Sequence, residues 1–108
     1  MGKPEAAVEN YLIRQCKKYG FWCKKFVSPG TSGVPDRIVI ADGDVLFIEL
    51  KRESGGKVSE LQKICIDEIN KAGGTAIVCA GKAAVDAVGA LRGRFRLATG
   101  ENGSGESL

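Results

Sequence analysis

Two apolar runs on either side of the dipeptide Asp42-Gly43 form the clearest pattern in the chain. Asp-Gly between two such runs predicts a β-hairpin, because a two-residue type I′ turn requires positive φ at both central residues. We expect its strands at Pro35–Ala41 and Asp44–Lys51. A turn of this length also fixes which residues of the two strands lie opposite each other.

The predicted register places two carboxylates, Asp36 and Glu49, directly opposite each other, with Cβ atoms roughly 4.5–5.5 Å apart. Lys51 follows Glu49 by two residues and therefore projects from the same face. Opposed carboxylates in an apolar hairpin repel each other and need compensation. Lys51 or a Mg²⁺ ion bound by both carboxylates could supply it. The alternative is a solvated cluster of charges on an ordinary surface hairpin.

The remaining elements follow from apolar periodicity and from turn-forming residues. We expect helices at Pro4–Lys18, Ser59–Ala72 and Lys82–Leu91, and further strands at Gly20–Val27 and Thr75–Ala80. The second helix should bury a stripe made of Leu61, Cys65, Ile69 and Ala72. Its neighbour Thr75–Ala80 is continuously apolar, which predicts a strand buried on both faces.

This order, αβββαβα, predicts an α/β fold with a mixed four-stranded sheet flanked by helices. Three strands form an antiparallel meander, and a right-handed crossover adds the fourth strand parallel to the third. Gly, Ser and Glu dominate residues 97–108, which predicts a disordered tail after a domain of residues 1–96.

The composition of the chain excludes several kinds of catalytic and metal site. The chain of 108 residues contains no His, which removes Ser-His and Cys-His catalysis, and its four Cys form no CxxC motif that would indicate zinc. A net charge of +3 favours a polyanionic partner. No apolar run approaches the ~20 residues of a membrane span. Without a signal peptide either, the expected location is a reducing cytoplasm.

The motif PD, followed by a strand and then ELK, resembles the signature of the PD-(D/E)xK nucleases. The longer string FVSPGTSGVPDRIV…LFIELK…GGKVSELQK is similar to the VRR-NUC (virus-type replication-repair nuclease) branch. The resemblance implies a restriction-endonuclease-like core. It also implies that Asp36 and Glu49 bind Mg²⁺ or Mn²⁺ and that Lys51 is the catalytic lysine.

Two further residues enter the site through this resemblance. A glutamate of the first helix would join the metal, and Glu9 matches it best, with Glu5 as the alternative. Gln62 matches a glutamine beside the catalytic lysine. Gln62 also follows Ser59 by three residues, which predicts a helix capping box, and we expect the two roles to conflict.

Several basic or hydroxyl residues are candidate phosphate contacts, with ordinary solvated loops as the alternative. They are Ser28, Lys25, Arg37, Arg52, Lys57 and Arg94.

The resemblance implies a DNA endonuclease that acts on branched DNA in a bacterial or phage-infected bacterial cytoplasm, and stand-alone members of the family resemble junction resolvases. One acid pair per chain favours a homodimer that cuts four-way junctions. Apolar residues on the outer elements favour it as well, unless they simply complete the monomer core; they are Trp22, Val85, Val88 and Phe95. The alternatives are a flap or other structure-specific nuclease and a non-catalytic nucleic-acid-binding module.

Overall fold

A computed structural model describes residues 4–89 of the chain. Its elements, in chain order, are α1 (Pro4–Tyr19), β1 (Trp22–Lys25), β2 (Arg37–Ala41), β3 (Asp44–Lys51), α2 (Glu60–Lys71), β4 (Ala76–Ala80) and α3 (residues 82–89). The predicted order αβββαβα is therefore confirmed. The predicted tail of residues 97–108 lies outside the described residues. None of the described helices is long and apolar enough to cross a membrane.

The four strands form one mixed sheet in the order β1-β2-β3-β4. The first three strands are antiparallel, and β4 runs parallel to β3, as predicted. Asp42 and Gly43 have φ values of 51° and 88°, which is the conformation that the two-residue turn requires. Ala41 pairs with Asp44, and the register continues to Arg37 with Ile48. The strand begins at Arg37, two residues later than predicted, so Asp36 directly precedes β2 and lies next to the last pair of the ladder rather than within it.

The main core lies on one face of the sheet, which we call the core face. There α1 and α3 cover the strands, and the buried residues are Val8, Leu12, Cys16, Val39, Ala41, Leu46, Ile48, Leu50, Cys79 and Val85. Side chains alternate along a strand, so Glu49, between buried Ile48 and Leu50, projects from the other face. We call that second face the open face. Glu49 therefore lies on the side of the sheet away from the main core.

The predicted burial of α2 is wrong. No residue of this helix is buried, Leu61 is 55 % exposed, and Ala72 at its end is also exposed. The helix is anchored to the sheet partly by polar groups, because Asn70 bonds the backbone of Ala76 through both ends of its amide. Periodicity identified residues that share one side of the helix, but it carries no information on whether another element covers that side.

The strand β4 is not buried on both faces, contrary to the prediction. Val78 is 39 % exposed, and Ala80 is exposed as well, while Ala76 and Cys79 are buried. The reason is that β4 is the outer strand of the described sheet and α2 covers only part of its open face. The continuous apolar run of β4 is therefore partly exposed to solvent on the open face of the sheet.

Candidate active site

A cleft of about 260 Å³ opens on the sheet near the C-terminal end of β3, between α1 and the first turn of α2. It is lined by Glu5, Ala6, Glu9, Asp36, Glu49, Leu50, Lys51 and Gln62. The structure thus brings together every residue that the sequence singled out as catalytic or metal-binding. It also places Glu5, the alternative to Glu9, in the same cleft.

Glu49 is the most unusual group in the cleft, because its carboxyl is almost fully buried. Its Oε2 atom accepts a hydrogen bond from Gln62 Nε2 at 2.8 Å and lies 3.4 Å from Lys51 Nζ. Its Oε1 atom is buried and has no hydrogen-bond partner among the described residues. Burial, and then the negative charge of Asp36, raises the pKa of Glu49 to about 7, although Lys51 opposes the shift. An unpartnered buried carboxylate oxygen is rare and calls for a ligand.

Asp36 is held in place through the backbone on both sides. Its Oδ2 atom accepts a hydrogen bond from the N–H of Leu50 at 2.9 Å, and its carbonyl accepts one from the N–H of Phe26. The first bond ties the carboxylate of Asp36 directly to β3, one residue beyond Glu49. The two acids are therefore positioned by the hairpin itself.

Gln62 has both of the roles that were expected to conflict. Its Oε1 atom accepts from the N–H of Ser59 at 2.9 Å, while the N–H of Gln62 donates to Ser59 Oγ, which completes the predicted capping box. Because Oε1 faces a donor, the NH₂ group must face the other way, towards Glu49. The expectation of conflict was wrong, since an amide has two ends and the cap uses only one.

The two glutamates of α1 have different partners. Glu5 Oε2 lies 3.7 Å from Lys51 Nζ, so Lys51 is placed between Glu5 and Glu49. Glu9 Oε2 forms an ion pair with Arg37 Nε at 2.8 Å. Glu5 therefore contacts the candidate catalytic lysine, whereas Glu9 is compensated by an arginine at the edge of the cleft. The choice of Glu9 as a metal ligand stays a prediction.

The fit of a divalent cation depends on Asp36 and Glu49. In residues 4–89 no three Asp, Glu, Cys or His side chains are arranged as a ready-made metal site. Mg²⁺, however, commonly uses one or two carboxylates and completes its shell with waters and substrate phosphates. The unpartnered Oε1 of Glu49, next to Asp36, fits a cation bound in that way.

The candidate phosphate contacts are not equivalent in the structure. Lys25 and Lys57 are exposed, and Ser28 is half-buried. Arg37 is bound to Glu9, and the guanidinium of Arg52 donates to the carbonyls of Ser54 and Gly55. Both arginines therefore already have a structural role. Arg94 lies outside the described residues.

One residue of the site escaped the sequence analysis. Gly33 has a φ of 87°, and a Cβ atom there would lie 2.7 Å from the backbone of Leu61. The loop before Asp36 therefore packs directly against the first turn of α2, beside Gln62. A glycine just before the Val-Pro-Asp motif was the available signal, but the contact is with a segment distant in sequence.

The fold and the cleft together define the class: an α/β domain with an acid pair and a lysine at the end of a β-hairpin. The VRR-NUC domain family matches residues 4–83. The chain belongs to the VRR-NUC family.

Individual relatives agree with this assignment. The chain is 44% identical over 48 residues to a protein named "Putative nuclease p44" from Acyrthosiphon pisum secondary endosymbiont phage 1; the match covers 44% of this chain and 52% of that protein. The chain thus spans about half the length of that curated relative. A solved VRR_NUC domain superposes with a TM-score of 0.75 at 26% identity, covering 81% of this chain and 95% of that one. A second, a VRR_NUC domain protein, shares the fold with a TM-score of 0.68 at 23% identity, covering 85% and 89%.

Proposed function

We propose that this chain is a Mg²⁺- or Mn²⁺-dependent DNA endonuclease that hydrolyses phosphodiester bonds in branched DNA. The observation that carries the proposal is the buried carboxyl of Glu49, which has one unpartnered oxygen beside Asp36 and a lysine 3.4 Å from the other. A structural ion pair would not need that unpartnered oxygen. A divalent cation would use it.

In the proposed reaction, Asp36 and Glu49 bind the cation. A cation bound there lowers the pKa of its water and offsets negative charge on the phosphate. Gln62 holds Oε2 of Glu49, so that Oε1 is left for binding. Lys51 lies at the cleft with a side chain that is 13% exposed, where its ammonium group can stabilise charge that develops on the phosphate.

The preference for four-way junctions is the finer part of the proposal, and it goes with a homodimer. The described residues of one chain supply one acid pair, which would cut one DNA strand. Resolving a four-way junction with two-fold symmetry needs cuts in two strands, which a homodimer would provide. The structure changes the residues that support this dimer. Of the residues predicted to favour it, Trp22 is exposed, whereas Val85 is buried in the core and Val88 is half-buried. Phe95 lies outside the described residues. Leu61, Ile64 and Val78 are instead exposed on α2 and β4.

The direct test incubates the purified protein with Mg²⁺ or Mn²⁺ and a panel of four-way junctions, flaps and nicked duplexes of matched sequence. We expect cleavage that EDTA abolishes and that is lost in Asp36→Asn, while Asp44→Asn, an exposed acid at the other end of β3, retains it. Undiminished cleavage in EDTA or in Asp36→Asn would contradict the metal-site assignment. If the protein cleaves flaps but not four-way junctions, the proposal of a nuclease stands and the proposal of a junction resolvase is wrong.

A further inference from the structure

The edge strand β1 carries an exposed aromatic side chain in basic surroundings, at a distance from the acid pair. Trp22 is 50% exposed, and the ammonium of Lys24 lies 5.9 Å from the centre of its ring. Beside it, a groove of about 280 Å³ runs between β1 and the second half of α1. The groove is lined by Ile13, Cys16, Lys17, Phe21, Trp22, Cys23 and Lys24. It combines aromatic, apolar and basic groups and has no acidic one.

The charge around this groove is uncompensated. Lys17, Lys18, Lys24 and Lys25 are all exposed, and within residues 4–89 none of them forms an ion pair with a carboxylate. The lysines of α2, by contrast, pair with acids one turn away, as Lys63 does with Glu60 and Lys71 with Asp67. Unpaired Lys17 and Lys24, which line the groove beside an exposed indole, favour a ligand that has both negative charge and flat, stackable rings.

Trp22, at the rim of this groove, projects from the same face of the sheet as Glu49. Trp22 pairs with Ile40, which lies four residues beyond Asp36, so the indole is roughly 13 Å from the acids along the strand direction. Side chains two residues apart on a strand share a face, so Trp22 and Lys24 project from the open face, as Glu49 does. The side chains between them and the acids on that face are apolar or basic, among them Phe26 and Phe47, whose rings are 5.5 Å apart.

We propose that Trp22, with Lys17 and Lys24, is a stacking platform for an unpaired base of the DNA strand that leads into the cleft. This inference rests on the proposed nuclease function and narrows its substrate to DNA with unpaired nucleotides near the cut. Proteins that bind single strands combine basic grooves with aromatic rings, because every base has a face that can stack and every linkage a phosphate. The open side of the indole takes the base, and Lys17 and Lys24 bind the adjacent phosphates.

A second copy of this chain is the competing occupant of the Trp22 surface. A two-fold contact centred on Trp22 would bring the same unpaired lysines of both copies together, and like charges in an interface are costly. Exposed Ile40 and Val45 lie beside Trp22 on β2 and β3, within reach of the same lysines. Leu61, Ile64 and Val78 are exposed on α2 and on β4 at the opposite edge of the sheet, away from these lysines. DNA therefore fits the Trp22 surface better than a second copy does.

Trp22 is the only tryptophan in the chain, so its fluorescence reports on this surface alone. The experiment titrates the full chain in EDTA, which prevents cleavage, with a short oligothymidylate and with an abasic oligomer of the same length. We expect oligothymidylate to quench the emission of Trp22 and the abasic oligomer to leave it nearly unchanged. Equal effects of the two oligomers would overturn stacking, as would emission that changes with protein concentration in the absence of DNA.

Binding by variants can be measured without the emission of Trp22, through a label on the DNA. By anisotropy of a labelled oligothymidylate, Trp22→Ala should weaken binding about tenfold, and Trp22→Phe should restore most of the affinity. Lys17→Ala with Lys24→Ala should weaken binding and reduce its salt dependence, whereas Lys63→Ala with Lys71→Ala, the same charge change on α2, should not. Equal losses in the two double variants would contradict the platform.

The same measurements separate this inference from the nuclease proposal. If the wild-type protein cleaves DNA but its Trp22 emission is insensitive to the bound oligomer, the platform is wrong and the nuclease stands. If the emission is quenched as expected and no substrate is cleaved with Mg²⁺ or Mn²⁺, the binding surface stands and the nuclease proposal is wrong.

Discussion

The pKa of Glu49 in the cleft depends on its neighbours, Lys51 among them. Lys51 is the cation nearest to the buried carboxyl, and it also lies 3.7 Å from Glu5. The pKa of Glu49 nevertheless rises to about 7, because desolvation outweighs the attraction of the lysine. At neutral pH and without a cation, the acid is thus only partly ionised.

We expect Glu49 to make the metal-free protein less stable as the pH rises. The pKa of this carboxyl is raised in the folded state, from 4.5 to about 7, so the folded chain holds a proton that the unfolded chain releases. The free energy of unfolding should fall between these two pH values, by roughly 3 kcal/mol at most. Urea unfolding in EDTA across this range measures the loss. Glu49→Gln should remove most of this pH dependence. If the unfolding free energy of that variant falls with pH as steeply as that of the wild type, Glu49 is not the group responsible.

Lys51→Ala should separate binding from chemistry. One phosphate contact is a small part of a polyelectrolyte interaction, so affinity for a junction should change by less than about threefold. Cleavage should fall by about a hundredfold or more, because the ammonium is expected to act on charge that develops during the reaction. Binding in EDTA and single-turnover cleavage in Mg²⁺ measure the two quantities, with Lys57→Ala as the matched control. A loss of affinity equal to the loss of rate would make Lys51 a binding residue.

At the scale of elements, α2 connects the stability of a helix to the orientation of a catalytic group. Its capping box uses the carbonyl of the Gln62 amide, and the NH₂ group of the same amide holds Glu49. Asn70 repeats the pattern at the other end of the helix, where it bonds both the N–H and the carbonyl of Ala76. The position of α2 on the sheet is thus set partly by two amides.

Substitutions at Ser59 and Gln62 should distinguish the two functions of this cap. Ser59→Ala removes only the hydroxyl acceptor, so it should cost about 1 kcal/mol of stability and leave cleavage nearly unchanged. Gln62→Glu keeps an acceptor for the N–H of Ser59 but turns a carboxylate oxygen towards Glu49. It should retain the helix and lose most of the activity. Thermal unfolding and cleavage rates measure the two effects, and a fully active Gln62→Glu would show that the bond to Glu49 is dispensable.

At the scale of the whole molecule, what the sequence could predict depended on local geometry. The turn Asp42-Gly43 is two residues long, and that length sets the strand register as far as Arg37 with Ile48, which brings Asp36 next to Glu49. The exposure of α2 could not be predicted in the same way. The spacing of apolar residues shows which of them share one side of the helix, but not whether another element covers that side. The partners of Glu5 and Glu9 depend on how α1 is rotated over the sheet, which is set by contacts distant in sequence.

The exposed apolar residues of α2 and β4 yield a prediction on assembly. If they form the proposed homodimer interface, Leu61→Lys with Ile64→Lys should produce a monomer, because a buried pair of unpaired charges is costly. Both side chains are more than half exposed, so the fold should survive. Light scattering at micromolar concentration measures the mass, and Trp22→Lys serves as the control on the other edge. A wild-type protein that is already monomeric would contradict the dimer.

The sparse packing of α2 also affects how often the helix opens and how the protein responds to heating. With no buried residue, this helix should detach in local openings that cost less than global unfolding, whereas the sheet strands beneath it stay paired. Each such opening removes Gln62 from Glu49 and separates Gly33 from the first turn of the helix. The fraction of molecules with an intact cleft is therefore smaller than the fraction that is folded. Amide hydrogens of α2 should exchange with solvent before those of β3, and heating should inactivate the protein before it melts.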